Sequence, residues 1–377
     1  MAIKRNYSLL ILICSYLSLL HILRPGGLYL IFYVIELALV SLWFLNSPQN
    51  ITFRKNQTPY LVYIGCVVCA TIVHLATRLS FGALPKTISI ILIGVWSFVE
   101  VPNLFFKDKK FRQAYQAVPV VFGVVSSLIA LLGVMEIMPF FYLNKFDEKF
   151  PILLLRSSSS LLFEPNVLAF TLLFALFYLE TLGLRVITKV LILILLISGL
   201  FLTYSRGAWL AYLIFLFLRS SRRIKLFVST LGISCVVVFA FYFYNEISGI
   251  LVLDDILTGR PELWYLTITN LKYDLFFGMS FDLKIINEFL TNIFTRNYVT
   301  THNYFIDLIM TTGILGFLGA AWFWFKTMLL HLEYRNFAFL VAILFFLQFS
   351  PHNLGGASFI AIYLTSFVGI VWKESST

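Results

Sequence analysis

His302 lies in the apolar run THNYFIDLIMTTGILGFLGA, twenty-four residues before Lys326. Read as one continuous helix, that separation is about 36 Å, which puts the imidazole near the outer surface of a membrane. An imidazole at such a surface can act as a base near neutral pH. The competing reading is structural, a histidine that caps a helix or sits wet at its start. Asn303 follows directly. Asp307 is at i+4 from Asn303 and so shares its face rather than that of His302, which leaves it a secondary candidate for orienting the base.

Arg206, in TYSRGAWLAYLIFLFLRS, stands thirteen residues before Arg219. That is about 20 Å of helix against a hydrocarbon core of about 30 Å, so Arg206 is expected below the outer surface, in a turn between two helices. An intramembrane arginine is a functional-site hypothesis by default, with a snorkelling helix-end arginine as the alternative. Arg260, in LTGRPELW, precedes Pro261, a residue at home in the first turn of a helix. A guanidinium at a positive helix N-terminus suits an anion such as phosphate; an ordinary solvated arginine is the plain alternative. Arg156 and Glu164 bracket LLLRSSSSLLFEPNVLAF, too polar to span and too apolar for an ordinary loop, which is expected to dip into the membrane beside a cavity. Glu36 is the one carboxylate far from both surfaces, and proton transport and a buried hydrogen-bonded role fit it equally well.

The elements that must hold these residues follow from composition. Apolar residues make up 60% of the 377, aromatic 18% and charged 12%, whereas a soluble domain carries about 25% charge. The chain is therefore an integral membrane protein, read as a single polytopic domain over residues 1–377, all-α, with about twelve transmembrane helices. The runs lie near 7–23, 28–45, 60–76, 88–106, 118–137, 166–184, 188–205, 207–218, 226–244, 303–325, 337–349 and 359–372. With the N-terminus inside, seventeen Lys and Arg fall on the cytoplasmic side and eleven outside, the positive-inside pattern. Both termini are then cytoplasmic. The net charge of +10 is explained by topology, so no nucleic-acid partner is expected. Outer-face loops cover about 138–165 and 245–301, and PELWYLTITNLKYDLF within the second repeats apolar residues at helical spacing, as an amphipathic interfacial helix would. Gly313, Gly316 and Gly319 read as a close-packing face for a neighbouring helix. Cys66 and Cys69 lie mid-span without a second ligand pair and act as small hydrophobes.

Three blocks in order, TYSRGAWL, TGRPELW opening the large outer loop, and THNYFIDLIMTTGILG just after it, resemble the O-antigen polymerase and O-antigen ligase superfamily of bacterial polysaccharide enzymes. The last block fits the family pattern of His-Asn, nine residues, Gly, two residues, Gly, through His302, Asn303, Gly313 and Gly316. RSSSSLLFEPNVLAF is similar to the family's Pro-Asn segment. The resemblance covers the C-terminal half.

The resemblance implies an inverting, metal-independent glycosyltransferase of the bacterial cytoplasmic (inner) membrane, with its active site facing the periplasm or exterior. Its donor would be a polyprenyl-diphosphate-linked oligosaccharide and its acceptor a glycan or a second lipid-linked glycan. Membrane lipid and a chain-length regulator complete the expected partners. His302 would be the catalytic base, Arg206, Arg260 and Arg156 would bind the diphosphate, and Asn303, Glu164 and Asp307 would support them. No Asp-x-Asp metal site or nucleotide-sugar domain is visible in the sequence, so no cofactor is expected. FEPNVLAF looks more like polymerase relatives, and the modest second loop favours a polymerase over a ligase acting on lipid A core. A lipid-linked glycan flippase or proton-coupled transporter is the alternative from another class; broken helices at mid-depth and paired intramembrane charges would favour it.

Overall fold

A computed structural model describes residues 2–17, 28–46, 57–78, 81–135, 165–203, 205–220, 260–271, 274–293, 301–330, 334–348 and 359–374. The described residues are helical, without strands. Apolar runs in lipid require this, because a helix satisfies its backbone polar groups internally. The helices are α1 (Ala2–Leu17), α2 (Leu28–Asn46), α3 (Thr58–Arg78), α4 (Ala83–Lys107), α5 (Lys109–Val134), α6 (Pro165–Leu179), α7 (Val186–Leu202) and α8 (Arg206–Arg219). They continue with α9 (Arg260–Asn270), α10 (Leu283–Ile293), α11 (Tyr304–Leu330), α12 (Tyr334–Leu347) and α13 (Phe359–Glu374). Among the described residues four stretches, Thr58–Arg78, Ala83–Lys107, Lys109–Gly133 and Tyr304–Leu329, are long and apolar enough to cross a membrane. The expected run at 226–244 lies outside the described residues, as do Arg156, Glu164 and the rest of 136–164.

The chain forms two compact units, one of Met1–Arg54, Ile88–Tyr212 and Leu354–Thr377, the other of Lys55–Thr87 and Leu213–Asn353. In the first, Asp108 breaks the chain between α4 and α5 and caps α5, its Oδ1 accepting from Lys110 N at 2.9 Å and Phe111 N at 3.1 Å. Arg5 Nη1 approaches Asp108 Oδ2 at 3.7 Å, and Lys373 hydrogen-bonds Asn103. These contacts gather α1's start, α13's end and the basic Lys107–Arg112 segment at one end of the unit. A π-turn at Trp96–Glu100 within α4, where Val101 N–H bonds Trp96 O in place of Ser97 O, stands directly before Pro102, which has no N–H to donate to Phe98 O. Gly369 of α13 packs at this turn, where an added Cβ would stand 2.6 Å from Phe98 O.

In the second unit α3 runs beside α11. Gly319 allows the approach, because an added Cβ would meet Cys66 Sγ at 3.1 Å. Gly313 does something else. Its backbone, at φ 68 and ψ −168, breaks the helix, and the segment before the break folds back on the segment after it. Phe305 and Phe317 ring centroids lie 6.0 Å apart, where a straight helix would separate them by about 18 Å. Tyr304 lies beside Trp324 and Tyr63. Two expectations are thereby corrected: of the three glycines, Gly313 bends the helix rather than packing a neighbour, and His302 is not held 36 Å from Lys326 by a continuous helix.

The backbone groups freed at the break are taken by residues 275–280. Ile314 N donates to Leu275 O at 2.8 Å and Leu315 N to Phe276 O at 3.2 Å, while Met279 N donates to Met310 O at 2.7 Å and Ser280 N to Thr311 O at 3.2 Å. Met310 and Thr311 are the very carbonyls that an unbroken helix would offer to Ile314 and Leu315. Gly278, at φ +74, lets the two backbones touch, for a Cβ there would lie 2.5 Å from Gly313 N. A helix forms where one was expected in PELWYLTITNLKYDLF, but it ends at Asn270, and residues 275–280 are bonded into this break. A second helix in the same loop, α10, is not among the elements expected from the sequence. Leu263, Leu271, Met279, Ile286, Leu290 and Met310 form one buried apolar cluster that seats α9 and α10 on α11.

Candidate functional site

His302 is half-buried and has φ 56. The left-handed region costs a non-glycine residue about 1–2 kcal/mol, and such residues persist where their surroundings over-determine them. The neighbours supply that constraint. Thr301 before it is fully buried, and Asn303 after it is 4% exposed. Asp307 Oδ1 accepts from both Thr301 N and Thr301 Oγ1, each at 2.8 Å. Asn303 Oδ1 accepts from Phe305 N at 3.0 Å and Ile306 N at 3.2 Å, the N-cap of α11. Its Nδ2 donates to Gln348 Oε1 at 3.3 Å. Asp307 therefore fixes the residue preceding the histidine, and Asn303 ties the residue following it to the end of α12.

Arg260 is the first residue of α9, one turn before Trp264. The indole N–H of Trp264 donates to Thr301 O at 2.9 Å, so the helix that Arg260 opens is pinned to the residue beside His302. Of the expected site residues, the structure thus brings the start of α9 and the His302, Asn303 and Asp307 corner together in one unit.

Arg206 falls in the other unit. It is exposed and opens α8 directly after the turn that follows α7. Ser205 Oγ donates to Asn166 Oδ1 at 2.8 Å, and Ser205 N donates to Thr203 Oγ1 at 3.2 Å. Trp209 closes the turn from the other side, with Nε1 donating to Leu200 O at 2.8 Å and its ring stacked on Phe201. The Pro-Asn segment and the TYSRGAWL block therefore meet through one hydrogen bond. Glu36 is fully buried, and neither carboxylate oxygen has a hydrogen-bond partner among the described residues. The hydrogen-bonded role weighed for it is not met by any described group.

Sequence reasoning left out Thr301, Gln348, Trp264 and Asn166 as holders of the site. Trp264 carried a usable signal, since it lies at i+4 from Arg260 and so on the same helix face. Gln348 carried a weaker one, an amide ending the apolar run FAFLVAILFFLQ. Among the described residues no three His, Cys, Asp or Glu side chains cluster as a metal site.

A comparison with curated proteins finds no match. Residues 191–321 match the family model described as O-antigen ligase. That stretch contains all three blocks, with the Arg206 turn, the start of α9 and the His302 corner, and it supports placing the chain in the O-antigen ligase and polymerase superfamily.

Proposed function

We propose that the protein polymerises the repeat units of a surface polysaccharide of the O-antigen type, on the outer face of the bacterial cytoplasmic membrane. A polyprenyl-diphosphate-linked glycan is the donor, and a sugar hydroxyl of another lipid-linked unit is the acceptor. The observation that carries the reading is His302, in the family block, held at φ 56 between two buried and hydrogen-bonded neighbours. Strain retained at an imidazole fits a proton-transfer group better than a helix cap, and Asn303 already fills the cap.

In this mechanism His302 takes the proton of the acceptor hydroxyl as its oxygen attacks the anomeric carbon. The bond from that carbon to the diphosphate oxygen breaks, the electron pair leaves with the diphosphate, and the configuration inverts. Arg206 and Arg260, with Arg156 as a third candidate, neutralise the departing charge. Asn303 and Asp307 hold the base through its neighbours, and Glu164 remains an expected supporting residue.

The ligase reading, with lipid A core as acceptor, draws on the description of the matched family; FEPNVLAF and the second outer loop favour the polymerase. The broken α11 and a buried Glu36 without a partner among the described residues are the features that favour a transporter. Against it, the backbone freed by the break is occupied by the chain's own loop. Two ion pairs, Arg5–Asp108 and Arg78–Asp274, join residues at helix ends or just beyond them.

Purified protein supplied with lipid-linked repeat units tests the reading. Lengthening of the lipid-linked glycan by wild type and not by His302→Gln, at matched protein level, is expected; equal lengthening by both would overturn the base. A deletion strain separates the alternatives: single repeats on core indicate a polymerase, free lipid-linked polymer with bare core a ligase, and inward-trapped intermediates a flippase. Sidedness is checked by a cysteine introduced near Lys110, expected to resist an impermeant reagent in intact cells, and one near Lys284, expected to react.

A further inference from the structure

The segment between α9 and α11 is held from α3 by two residues one turn apart. His74, 2% exposed in the apolar interior of α3, donates from Nε2 to Gly278 O at 2.9 Å. Arg78, at i+4 and on the same face, pairs with Asp274. Between those two anchor points the loop is closed on itself, with Gly278 N donating to Asp274 O at 2.6 Å and Asp274 N to Leu271 O at 2.8 Å. Leu271 directly follows α9, the helix that Arg260 opens. Residues 275–280 fill the break in α11, and the segment of α11 before that break begins at the His302 corner. Asp274 and Gly278 are thus the fixed points of a bridge whose two ends carry the proposed diphosphate arginine and the proposed base.

We infer that His74 and Arg78 are positioning residues, which set the separation between the start of α9 and His302 by clamping the 274–280 bridge to α3. The inference rests on the roles proposed above for Arg260 and His302. A proton acceptor must be within hydrogen-bond reach of the attacking hydroxyl while the diphosphate is engaged, and a misplacement of about 1 Å can lower turnover about a hundredfold. The Trp264 strut to Thr301 and the apolar cluster of Leu263 and Leu271 seat α9 against α11; the α3 clamp adds a directional constraint on the loop after α9, which apolar packing, being non-directional, does not supply. His74 suits its place because the buried carbonyl of Gly278 needs a donor, and an imidazole with its proton on Nε2 provides one without adding a charge.

The test uses full-length purified protein with lipid-linked repeat units, at matched protein level. His74→Phe removes the donor and keeps the bulk; His74→Gln keeps an N–H within reach of the carbonyl. Turnover is expected to fall about ten- to a hundredfold in His74→Phe while donor KM stays near the wild-type value, because the hydrogen bond from His74 acts on registration and not on donor binding. His74→Gln should recover most of the turnover. Arg78→Ala, Asp274→Ala and the double variant should show equal losses, as one interaction removed three ways does. Wild-type turnover in His74→Phe, or a loss confined to donor KM, would overturn the inference.

A spin-label distance between Tyr265→Cys on α9 and Leu318→Cys on α11, both exposed sites, gives a readout independent of activity. The distribution should broaden on adding His74→Phe and narrow again with His74→Gln; an unchanged distribution would also overturn the clamp. If wild-type protein transferred no glycan, the proposed function would fail while this measurement still decided the clamp.

Discussion

Arg206 opens α8 from an ordinary helix start, exposed, with the preceding Ser205 tied to Asn166 by one hydrogen bond. His302 stands half-buried in a left-handed conformation, its two neighbours locked by hydrogen bonds to Asp307, Gln348 and the cap of α11. The contrast follows from what each group is proposed to do. A guanidinium acts on a phosphate through charge and a broad fork of donors, so a flexible stem at a helix start suffices. Proton transfer needs heavy atoms within about 3 Å in one orientation, so the imidazole must be held by its backbone. Where a side chain stands on strained backbone between buried neighbours, geometry is under demand; where it stands exposed at an ordinary helix start, charge is.

The comparison is broken most directly at His302. His302→Gln is expected to lower turnover about a hundred- to ten-thousandfold, the usual contribution of a general base. His302→Gly should lose as much activity while its melting temperature holds or rises, since glycine adopts φ 56 freely. Melting well below wild type in the glycine variant would show that the imidazole holds the corner together, and the contrast would collapse. Arg206→Lys keeps the charge and loses the fork; about a tenfold to hundredfold loss of turnover without loss of stability is expected, and near-normal polymer would remove Arg206 from diphosphate binding.

Smaller effects sharpen the difference. Asp307→Ala leaves two buried Thr301 donors without their acceptor, so denaturation should show a loss of about 1–3 kcal/mol with a parallel fall in turnover. Ser205→Ala removes a single partly exposed bond to Asn166 and is expected to change stability by about 1 kcal/mol or less. Equal penalties at Ser205 and Asp307 would mean that the two regions are held alike.

Long apolar runs made the helices legible, because in lipid an unbroken run has few alternatives to helix. The His-Asn block led to His302 and Asn303, and the Arg260-Pro261 pair marked the start of α9. The fold-back at Gly313 was not legible: glycines at i+3 spacing look alike whether they admit a neighbouring helix or reverse the chain, and only the loop that fills the gap decides between them. His74 read as one more histidine on an apolar span, since its partner is a main-chain carbonyl of Gly278, which no side-chain pattern announces. Gln348 and Trp264 are tied to the corner by tertiary contacts alone, and α10 was hidden within a loop judged by the helix before it.

The splice of residues 275–280 into α11 also bears on how independently these parts can form. Closed straight, α11 would pair Ile314 with Met310 and Leu315 with Thr311, leaving the loop's two donors and two carbonyls to find water. Spliced, all eight groups are satisfied by four bonds. Neither partner is complete without the other, so the 275–280 loop is a cooperative piece of the helix and not an appendage of it. Amide exchange at Ile314 and Leu315 therefore reports on the opening of a segment far upstream in the chain, and residues inserted between Leu271 and Ser280 would act as lesions within α11 itself.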